Sequence, residues 1–241
     1  MKKALFALMA TGICGMSVLG TPANAQETNL IFYGLQMEQL EFRRGDTSEN
    51  LFVWDGDAFV GTDEIKLRWL GEGEVDLDSG RAEKLENRLV LQTPISDFFD
   101  AKAGVRLDSP DGPGRWYGLI GVTGLAPQWF EIDADLFFAE TGDVSARLDI
   151  EYELLFTNKL ILTPSVEINV AFSDDREVGV GSGVSDIELG LRLSYDVLDR
   201  AISPYIGVGY ERKFGRTKDF ALAAGEDPDI WFITVGTKIL F

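Results

Sequence analysis

From position 147 the chain reads Arg147-Leu148-Asp149-Ile150-Glu151-Tyr152-Glu153-Leu154, with charged and apolar residues alternating without a slip. A period of two places the four charges on one face of an extended strand and the four apolar side chains on the other. A helix would scatter the same residues around its axis. The pattern recurs on both sides of this stretch. Glu131, Asp133 and Asp135 alternate with Ile132, Ala134 and Leu136, and Ser165-Val166-Glu167-Ile168-Asn169-Val170 and Asp186-Ile187-Glu188-Leu189 continue it.

Turn residues divide the chain into about twelve such segments, within a range of 10–12, arranged as six hairpins. They are 31–43 with 50–55, 58–71 with 82–93, 100–108 with 115–124, 129–139 with 145–156, 160–172 with 185–196, and 203–214 with 230–241. One set of connections is mostly short and includes Asp55-Gly56-Asp57, Gly124-Leu125-Ala126-Pro127 and Thr157-Asn158-Lys159. The other set holds the longest connections, Ser173 to Gly183 and Gly215 to Asp229, both read as loops. Short turns at one end and long loops at the other are expected of an outer-membrane barrel with both termini in the periplasm.

Composition narrows the chemistry. The 241 residues carry 22 Lys+Arg against 40 Asp+Glu, a net charge of −18, with one cysteine and no histidine. Without histidine there is no Ser-His-Asp or Cys-His machinery and no imidazole-held metal. The negative charge argues against nucleic acid as a partner, because phosphates would be repelled. No Gly-rich phosphate loop links a strand to a helix, and no carboxylate pair stands apart from the repeating pattern, so the chain does not read as an enzyme.

Lys2 and Lys3, the apolar run from Ala4 to Leu19 and the small residues Ala23-Asn24-Ala25 predict a signal peptide over 1–25, cleaved before Gln26. The sole cysteine, Cys14, falls inside it. Residues 26–241 are then one domain with a charge of −20, because the signal removes two lysines and no acids.

Alternation fits a soluble sheet protein as well, including a periplasmic barrel around a small apolar ligand. Three features favour lipid. The chain ends at Phe241 with Ile239, Val235 and Ile233 at alternate positions; Trp54, Trp69, Trp116, Trp129 and Trp231 lie near the expected strand ends; and a secreted, acidic, cysteine-free β chain suits a Gram-negative envelope. The expected fold is an all-β, transmembrane, antiparallel outer-membrane β-barrel, with outer-membrane lipid around it and a charged lumen.

Longer strings carry a resemblance. Met37-Glu38-Gln39-Leu40-Glu41-Phe42-Arg43, Trp54-Asp55-Gly56, Lys66-Leu67-Arg68-Trp69 and Glu72-Gly73-Glu74 are similar to the copper resistance protein B family of outer-membrane barrels. So are Ile120 to Glu131, Arg147 to Leu155, Gly181 to Glu188, Pro204 to Val208 and Glu211 to Gly215, in order along nearly the whole chain. The resemblance implies copper resistance and homeostasis, copper ion binding, and a periplasmic multicopper oxidase as a partner. Many members carry a Met- and His-rich stretch before the barrel, suited to copper. Here Ala25 is followed almost directly by the first strand, and Met37 is the only methionine after the signal.

Copper contact in the mature chain is therefore expected to be weak or transient, through carboxylates, carbonyls or one thioether. The candidate cation-attracting set is Glu131, Asp133, Asp135, Asp149, Glu151, Glu153, Asp186 and Glu188, with Arg147 and Arg192 as counter-charges and Met37 as a soft contact. The alternative is a structural or general-diffusion barrel in which these charges form interior salt bridges.

Overall fold

The computed structural model describes residues 30–46, 49–198 and 200–240. The expected signal peptide and Phe241 lie outside the described residues. The strands are β1 (Phe32–Gly45), β2 (Asn50–Gly61), β3 (Lys66–Asp76), β4 (Ala82–Pro94), β5 (Phe99–Asp108), β6 (Arg115–Ala126), β7 (Phe130–Ala139) and β8 (Val144–Tyr152). They continue with β9 (Leu154–Leu155), β10 (Leu160–Ala171), β11 (Gly183–Tyr195), β12 (Ile202–Lys213) and β13 (Asp229–Leu240), with one helix, α1 (Gly215–Ala224), before the last strand. β9 resumes β8 after a break at Glu153 and pairs with the same neighbour, β10, so the strands form twelve staves.

Each stave pairs antiparallel with the next, and β13 pairs with β1 from Gln36↔Leu240 to Gly45↔Phe232, which closes the barrel. Closure leaves no sheet edge with unpaired N–H and C=O groups, the condition for sheet structure in hydrocarbon. Outward positions on the staves carry large apolar side chains that nothing among the described residues covers. Ile206 is 61% exposed, and Val235, Ile233, Leu91 and Leu189 are exposed beside it or across the wall. Such a continuous belt requires lipid. At the end where β1 begins and β13 finishes, connections are short (62–65, 95–98, 127–129, 156–159). The opposite end has 172–182 and 214–228.

The twelve expected segments match the staves to within a few residues except at one place. Asp55-Gly56-Asp57 is not a turn: it lies in the middle of β2, and the chain reverses at 62–65 instead. Asp-Gly is a strong hairpin signal. Here Gly56 serves the flat surface, because Met37, its partner across the ladder, lays its sulfur where a Cβ on Gly56 would stand. Asp55 and Asp57 thereby face the lumen rather than a loop. The segment after Gly215 also differs from the expected loop, since its alanine-rich tail folds as α1 and stops at Gly225, left-handed at φ 85°.

The tryptophans divide in the same way. Trp116 and Trp231 lie near the long-loop end and Trp129 at the short-turn end, all exposed as a girdle requires. Trp54 and Trp69 instead sit partway along their strands, with Trp54 stacked over Gly73 directly across the ladder and Trp69 over Gly71. These aromatic rings cover the surface that the missing side chains leave open.

Inside, a small apolar cluster of Val90, Leu119 and Phe137, with Leu70 and Tyr117 against it, fills the lumen on the β3 to β7 side. If the outward face meets lipid, placing an arginine at Leu189, midway along β11, destabilises the barrel by about 2–4 kcal/mol. Urea unfolding in lipid vesicles measures this. A change under about 0.5 kcal/mol, typical of a solvated surface site, would contradict the lipid assignment.

Candidate functional site

The ladder register sorts the lumenal charges into rows. Asp133 stands opposite Asp149, Asp149 opposite Glu167, Glu167 opposite Glu188, and Glu188 opposite Glu211. Five carboxylates thus occupy five neighbouring staves side by side. Thr123 and Asp100 extend the row across β6 and β5. The row begins beside the short-turn end, where Asp100 is the second residue of β5, and finishes at Glu211, two residues from the long-loop end of β12. Barrel strands are tilted, so a row at right angles to them climbs the wall as a spiral. A second acidic row, Asp108, Glu86, Glu72 and Asp55, crosses β5 to β2.

Bases flank these rows and pair with them unevenly. Glu86 is held by Arg88, Arg106 and Arg147 at 2.8–3.1 Å, and Glu72 pairs with Arg88 and with Lys84 at 3.0 Å. Arg106 and Arg147 also lie over the Phe137 ring, so Glu86 is buried in a packed belt, while Glu72 and Asp55 of the same row reach the cavity. Glu41, fully buried, binds Arg43 at 2.5 Å, Arg192 at 3.3 Å and the Tyr205 hydroxyl at 2.7 Å.

The first row is less satisfied. Lys102 reaches Asp133 at 2.5 Å, Arg147 approaches Glu167 at 3.5 Å and Arg43 approaches Glu188 at 3.3 Å. Asp149 and Glu211 have no hydrogen bond or ion pair among the described residues. A cavity of about 460 Å³ runs beside this row, lined by eleven carboxylates against six basic side chains. Its lining therefore carries a surplus of negative over positive side chains.

The candidate residues separate accordingly. Glu131, Asp133, Asp149, Glu151 and Glu188 line the cavity together. Asp135 does not: it is buried, tied to Lys102 at 3.0 Å and Arg88 at 3.3 Å, with its other oxygen against Gly121, where any side chain would collide. Asp186 accepts from Asn169 at 2.8 Å outside the cavity lining. Glu153 falls at the break between β8 and β9 and pairs with Arg200 at 3.1 Å. Met37, on the opposite face from Asp55 and Asp57, is not among the lining residues. Arg147 and Arg192 form ion pairs, but with Glu86 and Glu41 respectively, acids outside the candidate set.

Sequence reasoning passed over Asp57 and Lys84, which line the cavity, and valued Glu38, Asp55, Glu72 and Glu74, which line it too, only as part of the resemblance. The misplaced turn hid Asp55 and Asp57. Extending β2 to Gly61 keeps Val53, Asp55 and Asp57 at one parity and would have exposed the pattern. Among the described residues, no group of three or more carboxylates converges closely enough to hold a metal ion. The set is a field rather than a coordination sphere.

At the long-loop end, the segment 172–182 is tied down by its neighbours. Ser173 donates to Asp143 at 2.6 Å, and this bond holds the Asp143 carboxyl below the ordinary carboxylate range. The Ser182 N–H donates to Asp174 at 2.8 Å and lowers that carboxyl likewise. With both folded values depressed, their stabilising effect is complete above the unfolded carboxylate range and is lost as pH falls through the lowered values.

A closed antiparallel barrel with an apolar outer belt and a charged lumen is an outer-membrane porin-like barrel. A solved NanC porin structure shares the fold at a TM-score of 0.52, with 11% identity over 86% of this chain and 99% of that one. The family is more specific. A family model described as copper resistance protein B precursor (CopB) matches residues 31–241, and the chain belongs to that family. Copper resistance protein B of Escherichia coli is 35% identical over 218 residues, 90% of this chain and 72% of the relative. A copper resistance protein B homolog of Pseudomonas syringae pv. tomato (strain ATCC BAA-871 / DC3000) is 33% identical over 204 residues, 85% and 68% of the respective chains.

The buried pairs make one stability prediction. Glu41→Gln leaves Arg43 and Arg192 sharing a neutral amide and costs about 3–5 kcal/mol, whereas Tyr205→Phe removes one hydrogen bond and costs about 1–3 kcal/mol. The temperature at which the unheated, fast-migrating form disappears on gels ranks the two. Equal behaviour of E41Q and wild type would contradict the assignment of Glu41 as the hub.

Proposed function

We propose that this barrel sits in the outer membrane of a Gram-negative cell, serves copper resistance, and attracts or passes copper ions weakly and transiently through its acidic lumen. The observation that carries the reading is the spiral row Asp133, Asp149, Glu167 and Glu188 along the cavity, continued by Glu211 on the next stave. Two carboxylates about 6 Å apart at an effective dielectric near 20 repel by about 3 kcal/mol. Since basic partners cover only part of the row, mobile cations and water supply the remaining neutralisation.

The ligand chemistry limits the ion. Carboxylate oxygens suit Cu(II) better than the softer Cu(I); the chain has no histidine to supply an imidazole, and its single cysteine, Cys14, lies in the expected signal peptide. Such a surface concentrates ions without trapping them, which suits passage more than storage. Membership of the copper resistance protein B family and the barrel fold support a non-enzymatic reading. Family membership supports a periplasmic multicopper oxidase as the partner that would receive or deliver copper at the short-turn end.

A second reading is a general-diffusion barrel without metal preference, favoured by the packed belt around Glu86 and Glu72. Proteoliposomes loaded with a copper-responsive dye separate the two. The proposal expects Cu(II) entry to exceed that of a neutral sugar of similar size, and Asp149→Asn with Glu167→Gln to lower copper entry roughly tenfold without changing sugar entry. Equal entry of copper, other divalent cations and sugar, unaffected by the double variant, would overturn it.

A further inference from the structure

Arg115 is the first residue of β6 and lies at the rim, yet only 8% of its surface is exposed. Its ladder partner Asp108 belongs to the lumenal row of Glu86 and Glu72, so its side chain starts on the inner face of the wall. What covers it comes from three staves away. The segment 172–182 leaves β10 and returns to β11, with β7 and β8 standing between it and β6. Asp175 nevertheless receives Arg115 Nε at 3.1 Å and Nη2 at 3.0 Å, and Glu177 receives Nη2 at 2.7 Å. To make these contacts the segment must bend across the mouth rather than rise from the rim.

The segment also has the build of a moving part. It is folded back on itself by reciprocal backbone bonds between Asp175 and Val180, at 2.8 and 2.9 Å, so that it moves as one flap. One side rests on α1, where the Gly181 N–H donates to Thr217 Oγ1 at 2.9 Å and Arg216 pairs with Asp174 at 2.5 Å. Its first residues are held to the β7–β8 connection, where Phe172 N–H donates to the Val144 carbonyl at 2.9 Å and Ser173 to Asp143 at 2.6 Å, while among the described residues the charged tip, Asp175 and Glu177, is held toward β6 by Arg115. Glu177 is well exposed, so this contact is open to water and ions, unlike the buried pairs below it.

We propose that the segment 172–182 is a gate over the outer mouth, hinged on α1 and latched shut by Arg115 against Asp175 and Glu177. A charge-assisted latch in which Asp175 is largely covered and Glu177 stands in solvent is strong enough to bias the flap and open enough to water on one side to release it. The gate goes beyond the copper reading and rests only on the part of it that has solute pass through the lumen. It concerns when the mouth is open, not which ion follows.

Planar-bilayer recording in potassium chloride tests it without copper. Arg115→Gln should raise the open fraction roughly tenfold over wild type. Arg115→Lys should stay near wild type, and the exchanged pair Arg115→Asp with Asp175→Arg should return toward it. Heat-modifiable gel mobility confirms that each barrel has folded. Trypsin cleavage after Arg176, inside the flap, should speed up in Arg115→Gln in step with the current. An Arg115→Gln barrel that is folded but carries the wild-type current would overturn the gate. Absence of current from every variant would overturn it too, while leaving the copper comparison in proteoliposomes to be decided separately.

Discussion

A β-ladder that closes on itself has no freedom of register. Slipping any one stave by a residue would turn its charges into lipid and its apolar side chains into the lumen. Everything else in this molecule depends on that constraint. It fixes Asp149 between Asp133 and Glu167, brings Glu41 to the reach of Arg192 from the far end of the chain, and sets Trp54 over Gly73. Like charges would not choose these neighbours. They are held there because the cost of a slipped stave in hydrocarbon, several kcal/mol per misplaced charge, exceeds the repulsion between solvated carboxylates.

The lumen resolves that repulsion in two ways, and the difference gives it two regions. Around Glu86 and Glu72, arginines from β4, β5 and β8 converge and the aromatic ring of Phe137 lies beneath them. This region is packed and stiff. Along the other row the bases are too few, and a cavity replaces them. The interior salt bridges that the sequence offered as one alternative are present, and the surplus of carboxylates around the cavity is what supports the proposed cation-attracting surface.

The staves were legible because alternation is a local signal that lipid enforces on every strand. What misled was also local. Asp55-Gly56 has the chemistry of a tight turn, and only the pairing of Met37 with Gly56 shows why a glycine is needed in mid-strand. That single shift concealed Asp55 and Asp57. Parity placed Asp133, Asp149 and Glu188 on the lumenal face, but it could not show that they share one row with Glu167 and Glu211, since register between strands is not written in any one strand. Nor could it separate Asp135, which sits two residues from Asp133 and is sealed by Lys102 and Arg88. The helix α1 was missed because its ten residues carry no clear amphipathic period and no side-chain cap.

The central claim is that an unneutralised acidic row gives the lumen its character. The reversal potential of the reconstituted barrel across a tenfold potassium chloride gradient reads that character most directly. The account predicts a potential displaced toward the potassium equilibrium value, and a loss of that displacement when Asp149 and Glu167 are made neutral. A reversal potential at zero or on the chloride side in the unaltered protein would contradict it.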